Sequence, residues 1–261
     1  MRNCLILGCG RSGTSMVAGL LRNSRYYQGD DYVPRDPSNP KGYFEDRIVN
    51  QINDRLILRH IGKDWLHKLK RRIAGRGVIP AGVQWLALPR SPIIVVSDQE
   101  TSRGMKERVS HQPFCYKDPR FCHTLAAWKP FLPRDTRFVV VFRDPVRTAN
   151  SILTRKAARP FATTFRMSFM DAGKVWYQAY KHVLEGMESC EDYLFLDFQE
   201  VIDGGAFRSI EGFLDTTMDI LFPDAKLSRS NSDYEGNIPR RWQQMYDRLR
   251  SLAQQTQRVI A

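Results

Sequence analysis

Gly8-Cys-Gly-Arg11-Ser12-Gly13-Thr14-Ser15 crowds three glycines, an arginine and three hydroxyls directly behind the apolar run Cys4 to Gly8. A strand that enters a helix through such a loop aims backbone N–H groups at one point, where they favour an anion. The outer glycines keep the Gly-x4-Gly spacing of a nucleoside-triphosphate loop, and Ser15 keeps its hydroxyl position. Thr14, however, stands where that loop carries its lysine. That lysine ordinarily reaches the terminal phosphates. Its replacement, with Arg11 as the loop's cation, implies a site for one phosphate with a short charged extension.

Three further groups carry chemistry. Arg143 follows the apolar run Phe138 to Phe142, and its planar fork suits bidentate contact with a phosphate. Ser151, eight residues on, lies almost two helical turns into the next element, on the side of Arg147. Tyr116-Lys117-Asp118-Pro119-Arg120 places a cation at a strand end, which is also the composition of a salt-bridged turn. Asn39-Pro-Lys-Gly-Tyr43-Phe44-Glu45-Asp46 closes a Pro/Gly-rich loop on two acids. Such acids also suit a helix start, where the dipole favours them.

The elements that must position these groups alternate. Short apolar strands are expected at 3–8, 114–117, 138–142 and 193–196, buried on both faces as in a parallel sheet. Helices are expected at 14–23, 45–61, 98–109, 121–131, from Pro145 onward, 163–187, 207–214 and 240–255. Asp144 and Pro145 supply a cap and a first-turn proline. Ile48, Ile52, Leu56 and Ile57 would share one face of the 45–61 helix. The pattern predicts an α/β fold: one three-layer P-loop-like domain over 1–261, helical beyond about 200, with a mainly parallel central sheet flanked by helices.

The 261 residues carry 40 Lys+Arg against 28 Asp+Glu, a net charge of +12 that points to anionic partners. With 42% hydrophobic residues the chain is neither disordered nor fibrous, and no run approaches the ~20 apolar residues of a membrane span. The apolar run Cys4 to Gly8 is too short for a signal-peptide core, so no export address is expected, and five cysteines without a Cys-x-x-Cys pair suit a reducing compartment. A cytoplasmic location is therefore expected. The histidines show no paired ligand spacing, so no metal site is expected. The tryptophans are scattered and suit the core.

The segment Leu5 to Ser15 resembles the 5′-phosphosulfate loop of sulfotransferases that use 3′-phosphoadenosine 5′-phosphosulfate (PAPS), and Arg143 with Ser151 resembles their 3′-phosphate motif. Two such motifs in the right order, about 130 residues apart, make the resemblance specific, and it extends from residue 3 to about 200. It implies that Arg11, Ser12, Gly13, Thr14 and Ser15 bind the 5′-phosphate end of PAPS, and Arg143 and Ser151 the 3′-phosphate. It further implies that Lys117, with Arg11, offsets charge on the departing nucleotide, and that the acidic segment holds the catalytic carboxylate. Glu45 is the candidate base. At a helix start its ionised form is favoured by the dipole while partial burial opposes it. Asp46, about 100° round the helix, and His123 are the competitors.

Two departures place the chain nearer the bacterial, glycan- or tyrosine-directed members than the cytosolic phenol and steroid enzymes. The glycine-rich C-terminal cofactor segment is missing, leaving Arg229 and Tyr234 as candidates for adenosine contacts. Lys117 also does not lead into that subgroup's catalytic histidine. The expected reaction moves the sulfuryl group of PAPS to a hydroxyl acceptor, a glycan or another small or polymeric substrate, releasing adenosine 3′,5′-bisphosphate without a metal. The surplus of cations suits an anionic acceptor. Neither nucleic-acid binding nor stable membrane insertion is expected. Two alternatives stand beside it. One is a nucleotide or sugar kinase with a divergent loop, for which the apolar run into Asp98 would imitate a magnesium-binding strand. The other is a non-catalytic binder of acidic polymers through Lys68 to Arg76.

Overall fold

The computed structural model describes the chain apart from residues 74–85, 87, 95–97, 158–166, 189, 191, 225–233, 235 and 261, and only the backbone of 61–73 and 155–157. Four strands, β1 (Cys4–Leu7), β2 (Cys115–Lys117), β3 (Arg137–Phe142) and β4 (Tyr193–Asp197), form one all-parallel sheet in the order β2-β1-β3-β4. Alternate side chains divide between two cores, as the pleat requires. Leu5, Leu7, Val140, Phe142 and Phe195 face one cluster, and Cys4, Ile6, Val139, Val141, Leu194 and Leu196 face the other. Every residue of β1 is buried, which is why the strand reads as a continuous apolar run.

Helices cover both faces. The first core takes residues from α2 (Arg47–Ile73), α3 (Gln99–Ser110), α4 (Phe121–Trp128), α5 (Pro145–Ala157), α6 (Phe169–Met187) and, later in the chain, α9 (Arg240–Ile260). The second is closed by α1 (Thr14–Leu20), α7 (Phe198–Ile202) and α8 (Phe207–Leu214). The three-layer expectation holds. Trp128, Trp176 and Trp242 are fully buried, as expected of core residues, while Trp85 and the side chain of Trp65 lie outside the described residues.

Local signals account for several boundaries. Asp144 accepts from Arg147 N at 2.8 Å, the cap its position predicts. Ser168 and Asp171 form a capping box that starts α6 at Phe169, later than the expected 163. Asp98, the candidate end of a magnesium-binding strand, instead caps α3 by accepting from Thr101 N at 2.7 Å.

The helix expected at 45–61 needs more correction. It begins at Arg47 and continues to Ile73, and Ile48 is 39% exposed while Val49, Ile52, Leu56 and Ile57 are buried. Asp46 is its cap, accepting from Val49 N at 2.8 Å. Glu45 therefore precedes the helix rather than opening it, and the dipole argument for its ionisation falls. The basic run Lys68 to Arg76 has its side chains outside the described residues.

Candidate active site

The strand order reverses direction at β1, since the chain runs from β1 to β2 on one side of it and then crosses to β3 on the other. A crevice opens there beyond the carboxyl ends of the strands. All four strand ends contribute to it. The 8–13 loop leaves β1, Lys117 is the last residue of β2, Arg143 follows β3, and Phe198 follows β4. They surround a cavity of about 370 Å³, closed on the far side by 37–45 and 222–224.

The loop is held in backbone conformations that reward its composition. Gly13 has φ +96°, and a Cβ there would lie 2.3 Å from Phe198 Cδ2, so only glycine fits. Arg11 has φ +74°, uncommon for a side chain and frequent at ligand sites. This turn throws its guanidinium across the cavity, where Nε donates to Ser151 Oγ at 3.1 Å and a terminal nitrogen to Ser38 O at 3.2 Å. Ser38 is presented by a turn in which Asp36 Oδ1 accepts from Ser38 N and Tyr43 Oη, both at 2.8 Å.

Arg143 is 6% exposed, with its guanidinium 4.2 Å from the Phe198 ring centre. Burial, reinforced by repulsion from Arg147 and Arg11, lowers it to about 10 against the pull of Asp144 and Asp197. Arg11 and Arg143 thus meet on one wall of the cavity, with Arg147 near enough to repel Arg143, an arrangement that an anion would relieve.

The opposite wall is acid and base. Lys117 Nζ donates to Glu45 Oε1 in a short contact and to Ser15 Oγ at 3.3 Å, and both members of the ion pair are buried. Glu45 Oε2 accepts from Asn50 Nδ2 at 3.0 Å and lies 3.9 Å from the Arg120 guanidinium. Burial pushes the Glu45 carboxyl up, but the Lys117 ammonium, the Arg120 guanidinium and the hydrogen bonds from Lys117 and Asn50 outweigh it, holding the group below the usual carboxylate range. The expected cause was a helix dipole. The actual cause is two cations.

Arg120 anchors this wall. Its backbone N and one terminal nitrogen donate to Asp118 Oδ1 at 2.8 and 3.0 Å, and Nε donates to Asp54 in a short contact. Asn53 supports the same carboxylate, giving Nδ2 to Asp118 Oδ2 at 2.9 Å while accepting from Thr124 and Trp128 at 2.8 Å. Burial drives Asp54 up to about 6 and also raises Asp118. Three carboxylates therefore share two cations.

Most residues expected at the site meet here: Arg11, Gly13, Thr14, Ser15, Glu45, Lys117, Arg143 and Ser151 all line the cavity. Ser12 does not. It is fully buried, and its N–H donates to Cys9 O at 3.1 Å, so its contribution is to the loop's shape. Neither competitor for the base reaches the cavity. Asp46 caps α2, and His123 is buried against His182 with their Nδ1 atoms 2.9 Å apart. Tyr234 stacks on Phe169 at 3.7 Å, outside the cavity lining, and Arg229 lies outside the described residues. Sequence reasoning missed Arg120, Phe198 and Phe222. The first stood in a segment already singled out, and the second in the residue after a strand. Phe222, packed edge-on against Phe44 at 5.6 Å, carried no local signal.

The sulfotransferase family matches residues 4–203, which contain every one of these cavity-lining groups up to Phe198. The chain belongs to the sulfotransferase family. Two solved structures share its fold. The sulfotransferase domain from the curacin biosynthetic pathway aligns at a TM-score of 0.57 and 11% identity over 96% of this chain and 98% of that one. The sulfotransferase domain from the Synechococcus PCC 7002 olefin synthase aligns at 0.52 and 14% identity over 95% and 94%. A search of the curated proteins finds no match. As a sulfotransferase the chain is a transferase for which the family implies a PAPS-type sulfuryl donor. Among the described residues no helix is long and apolar enough to cross a membrane, and no group of three or more His, Cys, Asp or Glu could hold a metal ion.

Proposed function

We propose that this protein transfers the sulfuryl group of PAPS to a hydroxyl acceptor, with Glu45 as the base. The observation that carries the reading is the meeting, on one cavity, of Arg11 and Arg143 on one wall and a Lys117–Glu45 pair on the other. Arg143 and Ser151 would hold the 3′-phosphate. Arg11 and the loop through Ser15 would hold the 5′ end, where the first helical N–H groups lack an intrahelical acceptor. When bound, PAPS supplies the sulfuryl group and leaves as adenosine 3′,5′-bisphosphate.

The chain's own residues then have separable tasks. Lys117 and Arg11 offset negative charge at the loop, in a site dry enough for such contacts to count. Glu45 takes the acceptor's hydroxyl proton. Tyr43, buried beside it, and Phe222 exclude water from that end of the cavity. The acceptor is a glycan or another hydroxyl compound.

The test is thermal shift with adenosine 3′,5′-bisphosphate, ATP with Mg²⁺ and an oligonucleotide, followed by labelled PAPS against an array of hydroxyl acceptors. A large shift with the bisphosphate and label transfer to a hydroxyl support the reading. A shift with ATP and Mg²⁺ alone would replace it by the kinase alternative, and a shift with the oligonucleotide alone by the binder.

A further inference from the structure

The Lys117 ammonium stands at the junction of two sites. It is bonded at once to Glu45 on the acid side and to Ser15 of the loop on the other. Lys117 is 2% exposed and Glu45 8%, so water is a poor substitute partner for either. An anion held by the loop must compete with Glu45 for this ammonium. We propose that Lys117 is a donor-operated gate on the base: bound to Glu45 in the donor-free protein, it is drawn towards the loop when PAPS binds, and Glu45 becomes able to accept a proton only then. This deepens the proposed function and rests on it.

The other cation of the wall is built to stay. Arg120 is fixed through its backbone N, Nε and a terminal nitrogen to Asp118 and Asp54, and it approaches Glu45 only to 3.9 Å, beyond a hydrogen bond. Lysine, by contrast, is a point charge on a flexible four-carbon stem that can exchange partners. Withdrawing it changes the balance of the wall. Glu45, Asp54 and Asp118 face Lys117 and Arg120 before the exchange and Arg120 alone after it. Glu45 keeps Asn50 as a donor but loses its closest cation. Burial and the neighbouring Asp54 and Asp118 carboxylates, which raise its proton affinity, are then opposed by Arg120 and Asn50 alone.

The gate also answers a difficulty in the chemistry. A carboxylate held low by an ammonium is a poor proton acceptor. Released only in the donor complex, Glu45 gains basicity when there is a sulfuryl group to transfer.

The experiment is calorimetric titration of the whole chain with PAPS, without acceptor, at pH 5 to 7 in two buffers of different ionisation enthalpy. Wild type and Glu45→Gln are compared, so that protons exchanged by the nucleotide's own phosphates cancel. Wild type should take up several tenths of a proton more than the variant near pH 5.5, as linkage requires of a rising carboxyl pKa. Equal proton counts with intact PAPS affinity would overturn the gate and leave the donor assignment standing. Failure of wild type to bind PAPS would overturn both. Should Glu45→Gln fold poorly, Lys117→Gln serves instead. With no ammonium to withdraw, most of the wild-type uptake should vanish, and unchanged uptake would refute the gate.

Discussion

Arg11 Nε donates to Ser151 Oγ at 3.1 Å across 140 residues of sequence. The bond ties the glycine loop after β1 to the helix after β3, so the two segments proposed to hold the donor's phosphates form one surface with a set separation. Arg143 stands beside it with burial and two neighbouring arginines lowering its proton affinity.

Arg143→Ala is expected to weaken binding of adenosine 3′,5′-bisphosphate at least tenfold, since a hydrogen bond to a charged group contributes about 1.5–3 kcal/mol net. Adenosine 5′-phosphosulfate, which lacks the 3′-phosphate, should bind this variant almost as it binds wild type. Titration of both nucleotides checks this, and equal losses would show that Arg143 does not read the 3′-phosphate.

Glu45→Gln is nearly isosteric and keeps a partner for Asn50, so it should leave PAPS affinity within a fewfold. Turnover should fall by roughly 10²–10⁴, the usual contribution of general acid–base catalysis. Steady-state rates on any acceptor found by the array decide it. Retention of more than a tenth of wild-type turnover would remove Glu45 as the base.

Gly13→Ala combines a left-handed backbone with a collision against Phe198. It should destabilise the fold by about 1–3 kcal/mol, the typical cost of such strain. Loss of bisphosphate binding should accompany it, because the loop and Phe198 share the cavity wall. A variant with unchanged melting temperature and unchanged binding would contradict the loop geometry.

Acid should destabilise the protein through its buried histidines. Burial, with the charge of its partner His182, lowers His123 from 6.5 to about 3, and burial with Lys181 lowers His182 to about 4. Between those values and 6.5 the unfolded chain binds more protons than the folded one, so this stability is present above pH 6.5 and is lost as pH falls. Asp54 acts oppositely. Its carboxyl, raised by burial from 3.8 to about 6, makes the folded chain the stronger proton binder in that window and so adds stability on acidification. Melting temperature should therefore fall between pH 7 and 5. The fall should be shallower in His182→Gln and steeper in Asp54→Asn, as thermal melts across that range would show.

Much of the site was legible because its signals are local. The unbroken apolar runs of β1 and β3, the glycines and hydroxyls of 8–15 and the Asp144-Pro145 cap each act within a few residues, through strand burial, backbone sterics and capping. They determine a parallel sheet, a glycine loop between a strand and a helix, and an arginine delivered at a strand end. The acidic segment ending at Asp46 marked a helix start. Which of its acids caps and which enters the cavity was decided elsewhere, when Lys117 arrived beside Glu45 from 72 residues away. Likewise Arg120 finds Asp54 across 66 residues, and His123 finds His182 across 59. Spacing along the chain carries no record of such pairs, because Coulomb attraction and burial act through space. Only the packing of α2, α4 and α6 against the sheet makes Glu45 a carboxylate held low by two cations and His123 a neutral core residue.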